Sequence, residues 1–244
     1  MTAMRGDAAT AERARRRDLL RAAGVYLVTE ESLSAGRRSE EIVEAALAGG
    51  VRVVQVREKD GSARRALEIA RAVRTMTRRF GALLIVNDRI DIALASDADG
   101  VHLGQTDMPL LEARRLLGDA ALIGLSITDA AQLTAPDAIA ADCLGVGAVF
   151  ATASKLDAAL TGLQLLAGVR DYRASSGAPI VAIGGINAGN AGAAIDAGAD
   201  LVAVITAISA AADPGRAAAE LLAIVRAAQA ARPEPAARPL QARR

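Results

Sequence analysis

The sequence predicts a single α/β domain of the (βα)₈, or TIM-barrel, class. Short β-branched runs alternate with longer Ala-, Leu- and Arg-rich segments from about Val25 onward, and eight such runs can be counted. Runs such as Ile180-Val181-Ala182-Ile183 are apolar at every position. That suits parallel strands covered on both faces better than the alternation of a half-exposed sheet. The 244 residues match the length of one such barrel. A doubly wound open sheet is the alternative.

Residues 1–23 read as an accessory or frayed helix, residues 24–231 as the barrel, and residues 232–244, with three prolines among Ala and Arg, as a disordered tail. The expected strands are Val25 to Thr29, Val51 to Arg57, Leu83 to Asn87, Gly100 to Leu103, Leu122 to Ser126, Cys143 to Gly147, Ile180 to Gly184 and Leu201 to Ile205. Helical stretches such as Glu40 to Ala48, Ala63 to Phe80, Leu110 to Leu117 and Asn187 to Ala197 are long enough for right-handed crossovers. Gly49-Gly50 before Val51, and Ala197-Gly198-Ala199-Asp200 before Leu201, read as helix C-caps leading into strands.

Composition narrows the function classes. Hydrophobic residues make up 52% of the chain and aromatics 2%, with no Trp, so the core must be filled by small and branched aliphatics. A formal charge of +1, with acids and bases dispersed, gives no global field for nucleic acid or an anionic membrane. The single cysteine, Cys143, rules out an intrachain disulfide framework and a multi-cysteine zinc site, fits a reducing compartment, and reads as core packing. Asp7, Glu12 and Asp18 interrupt the amino terminus and no apolar secretion core follows. No segment offers the ~18 uninterrupted apolar residues of a membrane span. The expectation is a cytoplasmic protein.

Polar residues and glycines fall repeatedly at the strand ends. Gln55, Arg57 and Lys59 follow the second strand, Asn87 and Asp88 the third, Gln105 and Asp107 the fourth. Ser126 ends the fifth; Thr152, Ser154 and Lys155 follow the sixth, Gly184 and Gly185 the seventh, and Thr206 the eighth. In a (βα)₈ barrel all these ends lie on the one face where active sites are built. Read alone, the Arg57-Glu58-Lys59-Asp60 cluster also fits solvated loop charge. Asp88 and Asp107 also fit helix capping, and Gly184-Gly185 a tight βα turn. His102, the only histidine, excludes a histidine-cluster metal site, and alternation alone does not assign its face. A packed, hydrogen-bonded histidine is the default reading and substrate contact the other. Ser126 lies in Gly124-Leu125-Ser126-Ile127-Thr128, which is not the G-x-S-x-G elbow of a serine hydrolase.

Val54-Gln55-Val56-Arg57-Glu58-Lys59-Asp60, Asn87-Asp88-Arg89 and Asp99-Gly100-Val101-His102-Leu103-Gly104-Gln105 resemble, in order, three motifs of thiamine phosphate synthases. Asp107-Met108-Pro109, the Gly147 to Lys155 loop and Ala182-Ile183-Gly184-Gly185-Ile186 extend the resemblance over about Gly24 to Ala228. It implies an enzyme joining an aminopyrimidine methyl diphosphate to a thiazole carboxylate phosphate by dissociative displacement, with release of diphosphate and carbon dioxide. It directs Gln55, Arg57, Glu58, Lys59, Asn87, Ser126 and Lys155 to the pyrimidine diphosphate, with Arg57, Lys155 and Ser126 as the catalytic set. It directs Thr152, Ala153, Ser154, Gly184, Gly185, Ile205 and Thr206 to the thiazole phosphate, and Asp88 and Asp107 to Mg²⁺. Two oxygen ligands and phosphate suit that ion. Implied partners are phosphorylated small molecules, with no nucleic acid and no membrane, and assembly into a homo-oligomer is left open.

Two departures stand out. The loop reads Ala148 to Lys155 as Ala-Val-Phe-Ala-Thr-Ala-Ser-Lys, where the family commonly has proline near Ala148 and a Thr-Pro-Thr-Lys run. Thr128 stands where many relatives carry another polar or basic residue, often His. A thiazole tautomerase or another noncatalysing relative would not need the cation and carboxylate cluster; a phosphate-ligand-binding or regulatory barrel without turnover stays open as the second alternative.

Overall fold

Each β-branched run forms a short parallel strand, and the chain then returns along the outside to start the next. The computed structural model describes residues 2–59, 61–152 and 161–232, without the side chains of 2–5 and 171–176. Its strands are β1 Val25–Val28, β2 Val53–Val56, β3 Leu83–Asn87, β4 Gly100–Leu103, β5 Leu122–Ile127, β6 Cys143–Val146, β7 Ile180–Ile183 and β8 Leu201–Val204. Among the described residues the helices are α1 Thr2–Ala22, α2 Ser39–Ala48, α3 Ala63–Phe80, α4 Ile90–Ser96, α5 Leu110–Leu117, α6 Pro136–Ala140, α7 Gly162–Ser176, α8 Ala191–Asp196, α9 Thr206–Ser209 and α10 Pro214–Ala231. Neighbouring strands pair in sequence order, and β8 returns to β1 with Leu27 opposite Val204, so the sheet is a closed (βα)₈ barrel. That pairing excludes the open doubly wound sheet. The tail expected from residue 232 falls, at 233–244, outside the described residues.

The pleat explains the continuously apolar strands. Leu27, Val54, Leu84, Val101, Ile123, Leu144, Ala182 and Val202 face outward and join the helices in one buried cluster. Their alternates Tyr26, Val53, Leu83, Ile85, Leu122, Cys143, Val181 and Leu201 face inward and form a second cluster. Both faces are dry, so neither strand period carries polar residues until the strand ends are reached. Cys143 is packed inside the barrel, and burial pushes its thiol up to about 12.

The amino end of the barrel is covered. Leu20 of α1 and Ala23 just after it join the interior cluster, and Arg16 donates to the carbonyls of Asp99 at 3.2 Å and Ala120 at 3.0 Å. Three buried aspartates stitch this end together, each just before an even-numbered strand. Asp99 accepts from the Leu84 amide at 2.9 Å, Asp142 from the Ile123 amide at 2.9 Å, and Asp200 from the Ile180 amide at 2.8 Å. Arginines on the surrounding helices pair with two of them: Arg74 and Arg16 reach Asp99, and Arg114 and Arg13 reach Asp142. Much of the dispersed charge in the sequence is thereby fixed structurally.

Truncating Asp99 leaves the Leu84 amide without its acceptor and takes a carboxylate from Arg74 and Arg16, in a site where its own side chain is only 6% exposed. Asp99→Ala should therefore cost about 3–5 kcal/mol in urea unfolding. Glu112→Ala, which loses only an exposed pair with Arg115, should leave stability nearly unchanged.

Candidate active site at the carboxyl end of the barrel

With the amino end plugged, the opposite end opens into a cavity of about 450 Å³. Its floor is where the interior turns polar. Gln55 on β2, buried to 5% exposure, donates through Nε2 to the Tyr26 hydroxyl at 2.8 Å, and burial raises the Tyr26 phenol so that it stays protonated. Asn87 at the end of β3 and Ser126 at the end of β5 line the wall above it.

His102 settles into the interior next to them. Its Nε2 lies 3.0 Å from Ser126 Oγ. The ring occupies room left by two glycines: a Cβ on Gly124 would stand 2.5 Å from Nδ1, and one on Gly145 would stand 2.7 Å from Cε1. Neither a packed histidine nor a substrate contact could be chosen from alternation, and the structure puts the ring on the cavity wall. The glycines at Gly124 and Gly145 are the sequence signal that could have found it.

The charged strand ends separate into three environments. Arg57 lines the cavity and forms an ion pair with the buried Glu30 carboxylate at the end of β1. Glu58 turns away from the cavity: it accepts from Thr29 Oγ1 at 3.1 Å and Ser39 Oγ at 2.8 Å, bracing the connection from β1 to α2. Burial raises its carboxyl above the usual range. Lys59 projects beside Asp88, 3.8 Å from its carboxylate.

Asp88 and Asp107 come together. Burial and a hydrogen bond shared with the Asp107 carboxyl raise Asp88 from 3.8 to about 6, against the opposing pull of Lys59 and Arg57. The capping explanation gains no hydrogen bond. Helix α4 starts at Arg89 without a side-chain cap, and Asp91 is held by Arg89 instead. Helix α5 also lacks a side-chain cap at Pro109, and its Leu110 amide donates to Asp137 at 3.0 Å. Asp107 instead accepts from the Gly104 amide at 2.6 Å, which folds the β4 loop so that its carboxyl meets Asp88.

On the other side, Gly184 and Gly185 have φ of +98° and +65°, and a Cβ on either would collide with Ala148 or Ala151. They seat the segment after β6 against the end of β7, so glycine is required here by packing as well as by the turn. Thr152, Ile205 and Thr206 complete this wall, with Thr206 opening α9. Thr152 is the last described residue before the gap, and Thr161 anchors the far side, donating through N and Oγ1 to Ala148 O at 2.8 and 3.0 Å. Ala153, Ser154 and Lys155 lie outside the described residues.

Nine of the expected residues thus share one cavity wall: Gln55, Arg57, Asn87, Ser126, Thr152, Gly184, Gly185, Ile205 and Thr206. Lys59, Asp88 and Asp107 form an adjoining cluster, and Glu58 stands apart. Tyr26, His102, Thr128 and Asn187 also line the cavity and were not singled out as site residues. Amides and hydroxyls at the floor and wall suit a polar heterocycle, while the cations on one side and the glycine turn on the other suit two anionic groups.

Comparison with known proteins agrees with this arrangement. The family described as "Thiamine monophosphate synthase" matches residues 25–208, from the start of β1 through nearly all of α9. The thiamine-phosphate synthase of Haloarcula marismortui is 51% identical over 197 residues, covering 80% of this chain and 92% of that protein. That of Chloroflexus aurantiacus is 49% identical over 206 residues, covering 84% and 94%. Among solved structures, the thiamine phosphate pyrophosphorylase from Pyrococcus furiosus superposes with a TM-score of 0.76 at 37% identity, covering 88% of this chain and 98% of that one. A match running the length of the barrel, with relatives near half identity over four-fifths of the chain, makes this protein a member of the thiamine monophosphate synthase family and an enzyme of the transferase class.

Proposed function

We propose that this enzyme makes thiamine phosphate by joining an aminopyrimidine methyl diphosphate to a thiazole carboxylate phosphate. The observation that carries the reading is the cation and carboxylate cluster of Arg57, Lys59, Asp88 and Asp107 beside the cavity that holds Gln55, Asn87 and Ser126. A barrel that only bound or isomerised a thiazole phosphate would have no use for that cluster. The setting is cytoplasmic, and no described helix is long and apolar enough to cross a membrane.

Gln55, its amide oriented by Tyr26, and Asn87 offer donors and acceptors to the edge of the pyrimidine. Arg57, Lys59, Ser126 and Lys155 serve the diphosphate. The methylene C–O bond breaks with its electron pair going to diphosphate, and the electron-rich pyrimidine carries the positive charge. The thiazole nitrogen then forms the new C–N bond. Its carboxylate leaves as carbon dioxide, and the carbon left behind takes a proton from solvent. Charge grows on the leaving diphosphate, so cationic side chains aimed there lower the barrier. Gly184, Gly185, Ile205 and Thr206, with Thr152, Ala153 and Ser154, form the thiazole phosphate cradle, because glycine lets backbone amides approach an anion closely.

The donor set fits Mg²⁺. A carboxyl whose proton affinity is raised by burial and by a second carboxyl facing it marks a place where a divalent cation relieves repulsion, and Asp88 and Asp107 would hold it. Diphosphate oxygens and water would complete the shell. When bound, the ion supplies neutralising charge for the departing diphosphate.

Three outcomes test this reading. Both substrates together should yield thiamine phosphate and diphosphate, and neither alone should; consumption of the thiazole by itself would point to a tautomerase. Lys155→Ala should slow the single-turnover chemical step by on the order of 10² to 10³ with little change in thiazole phosphate affinity.

The third concerns stability. Without metal, stability should fall as pH rises from 3.8 to about 6, because native Asp88 keeps a proton that the unfolded chain has already released. Asp88→Asn should therefore be the more stable apo protein at about pH 8, by on the order of 1 kcal/mol after solvent screening, and the difference should vanish below about pH 4. Adding Mg²⁺ should raise the Tm of the wild type and leave that of the variant unmoved. Equal Mg²⁺ shifts in both proteins would remove Asp88 from the metal site.

A further inference from the structure

We propose that His102 is a positioning residue that acts through Ser126, fixing the serine hydroxyl as a donor to the leaving diphosphate; this rests on the function proposed above. The interior cluster is otherwise mostly aliphatic, with Val53, Leu83, Ile85, Leu122, Val181 and Leu201 among its members. Instead β4 carries an imidazole, and the next two strands, β5 and β6, carry glycine where the ring lies. Gly124 lies directly across the register from His102, and Gly145 lies one strand further on. A Cβ at either would come within 2.7 Å of the ring. The slot therefore fixes the ring plane.

Ser126 is held from two directions. Gln105 Nε2 donates to its backbone carbonyl at 2.6 Å, which fixes the end of β5. The remaining freedom is rotation of the hydroxyl, and His102 Nε2 lies 3.0 Å from that oxygen. A hydroxyl has one proton to give and two lone pairs. If Nε2–H donates into a lone pair, the serine proton is free to point into the cavity, where an anion accepts it. The opposite polarity would spend the serine proton on the imidazole and turn lone pairs toward an anionic ligand, which is repulsive. The anionic chemistry of the site therefore selects the Nε2–H tautomer. A group preorganised in this way stabilises charge as it develops, without reorienting during the reaction.

A purely packing histidine and a positioning one differ in how their loss couples to loss of Ser126. His102→Leu fills the slot without a donor, whereas His102→Gln places an amide Nε2 near the position of the lost ring nitrogen. His102→Leu should slow the single-turnover step about tenfold, with thiazole phosphate affinity unchanged, and His102→Gln should recover most of that loss. In a Ser126→Ala background, adding His102→Leu should cost less than twofold. The same cycle is to be read on the Kd for inorganic diphosphate with Mg²⁺ by calorimetry, which needs no turnover. Wild type inactive with both substrates would sink the proposed reaction, while the diphosphate cycle still reads the link between the two side chains. Additive losses in that cycle, or a His102→Leu protein as active as wild type, would overturn the positioning role.

Discussion

Pairing of β8 with β1, with Val25 opposite Val202 and Leu27 opposite Val204, turns eight four- to six-residue strands into a surface without edges. Every ladder amide and carbonyl then has a neighbour, which no open arrangement of such short strands could provide. The helical crossovers make every pair parallel, so all the strands point the same way around the closed axis. The residues following each strand consequently gather at one mouth even though more than a hundred positions separate Gln55 from Gly184 in the chain. The site is a product of that closure before it is a product of any one motif.

The two ends of the barrel are treated differently. At the amino end, Leu20 and Ala23 extend the apolar interior, and the three aspartates before β4, β6 and β8 bridge to the strand on one side, spending their charge on backbone amides. Arg74 and Arg114 reach in from the surrounding helices to two of these aspartates, so that each buried charge is compensated. At the carboxyl end the interior becomes polar within one pleat, from Ile85 to Asn87 on β3 and from Gly124 to Ser126 on β5. The compensation there is incomplete: burial and the facing Asp107 carboxyl raise the proton affinity of Asp88 although Lys59 stands alongside. Two carboxyls facing one another cost stability, which structures tolerate at functional sites more than elsewhere.

The loop departures fall on the side of the mouth that the glycines organise. Gly184 and Gly185 leave no room for a Cβ against Ala148 and Ala151, so the path of the segment after β6 is fixed up to Thr152 without the family's usual prolines. Thr161 ties the returning chain to Ala148 O, which anchors both ends of the excursion at the same strand end.

The sequence by itself determined parallel strands covered on both faces with helices between them, because β-branched runs that are apolar on both faces have no other way to be buried; pairing of β8 with β1 in the tertiary structure decided for the barrel over the open sheet. The sequence also pointed to the strand ends that line one cavity, because polar residues and glycines recur there. Tertiary structure decided where the side chains go. Strand alternation gives two faces but not which is interior, so the aim of His102 became legible only once Gly124 and Gly145 were seen beside it. Glu58 belongs to the same charged run as Arg57 and Lys59, yet Thr29 and Ser39 draw it away from the mouth, and those partners lie 29 and 19 residues distant. Asp107 looks like a helix cap until Asp137 of α6 is found capping α5 in its place. The amino-terminal helix carries too many arginines to read as a core element, and it becomes one only because Asp99 and Asp142 wait for those arginines at the foot of the barrel. In each case the deciding partner is remote in sequence, and only the closed sheet brings it within reach.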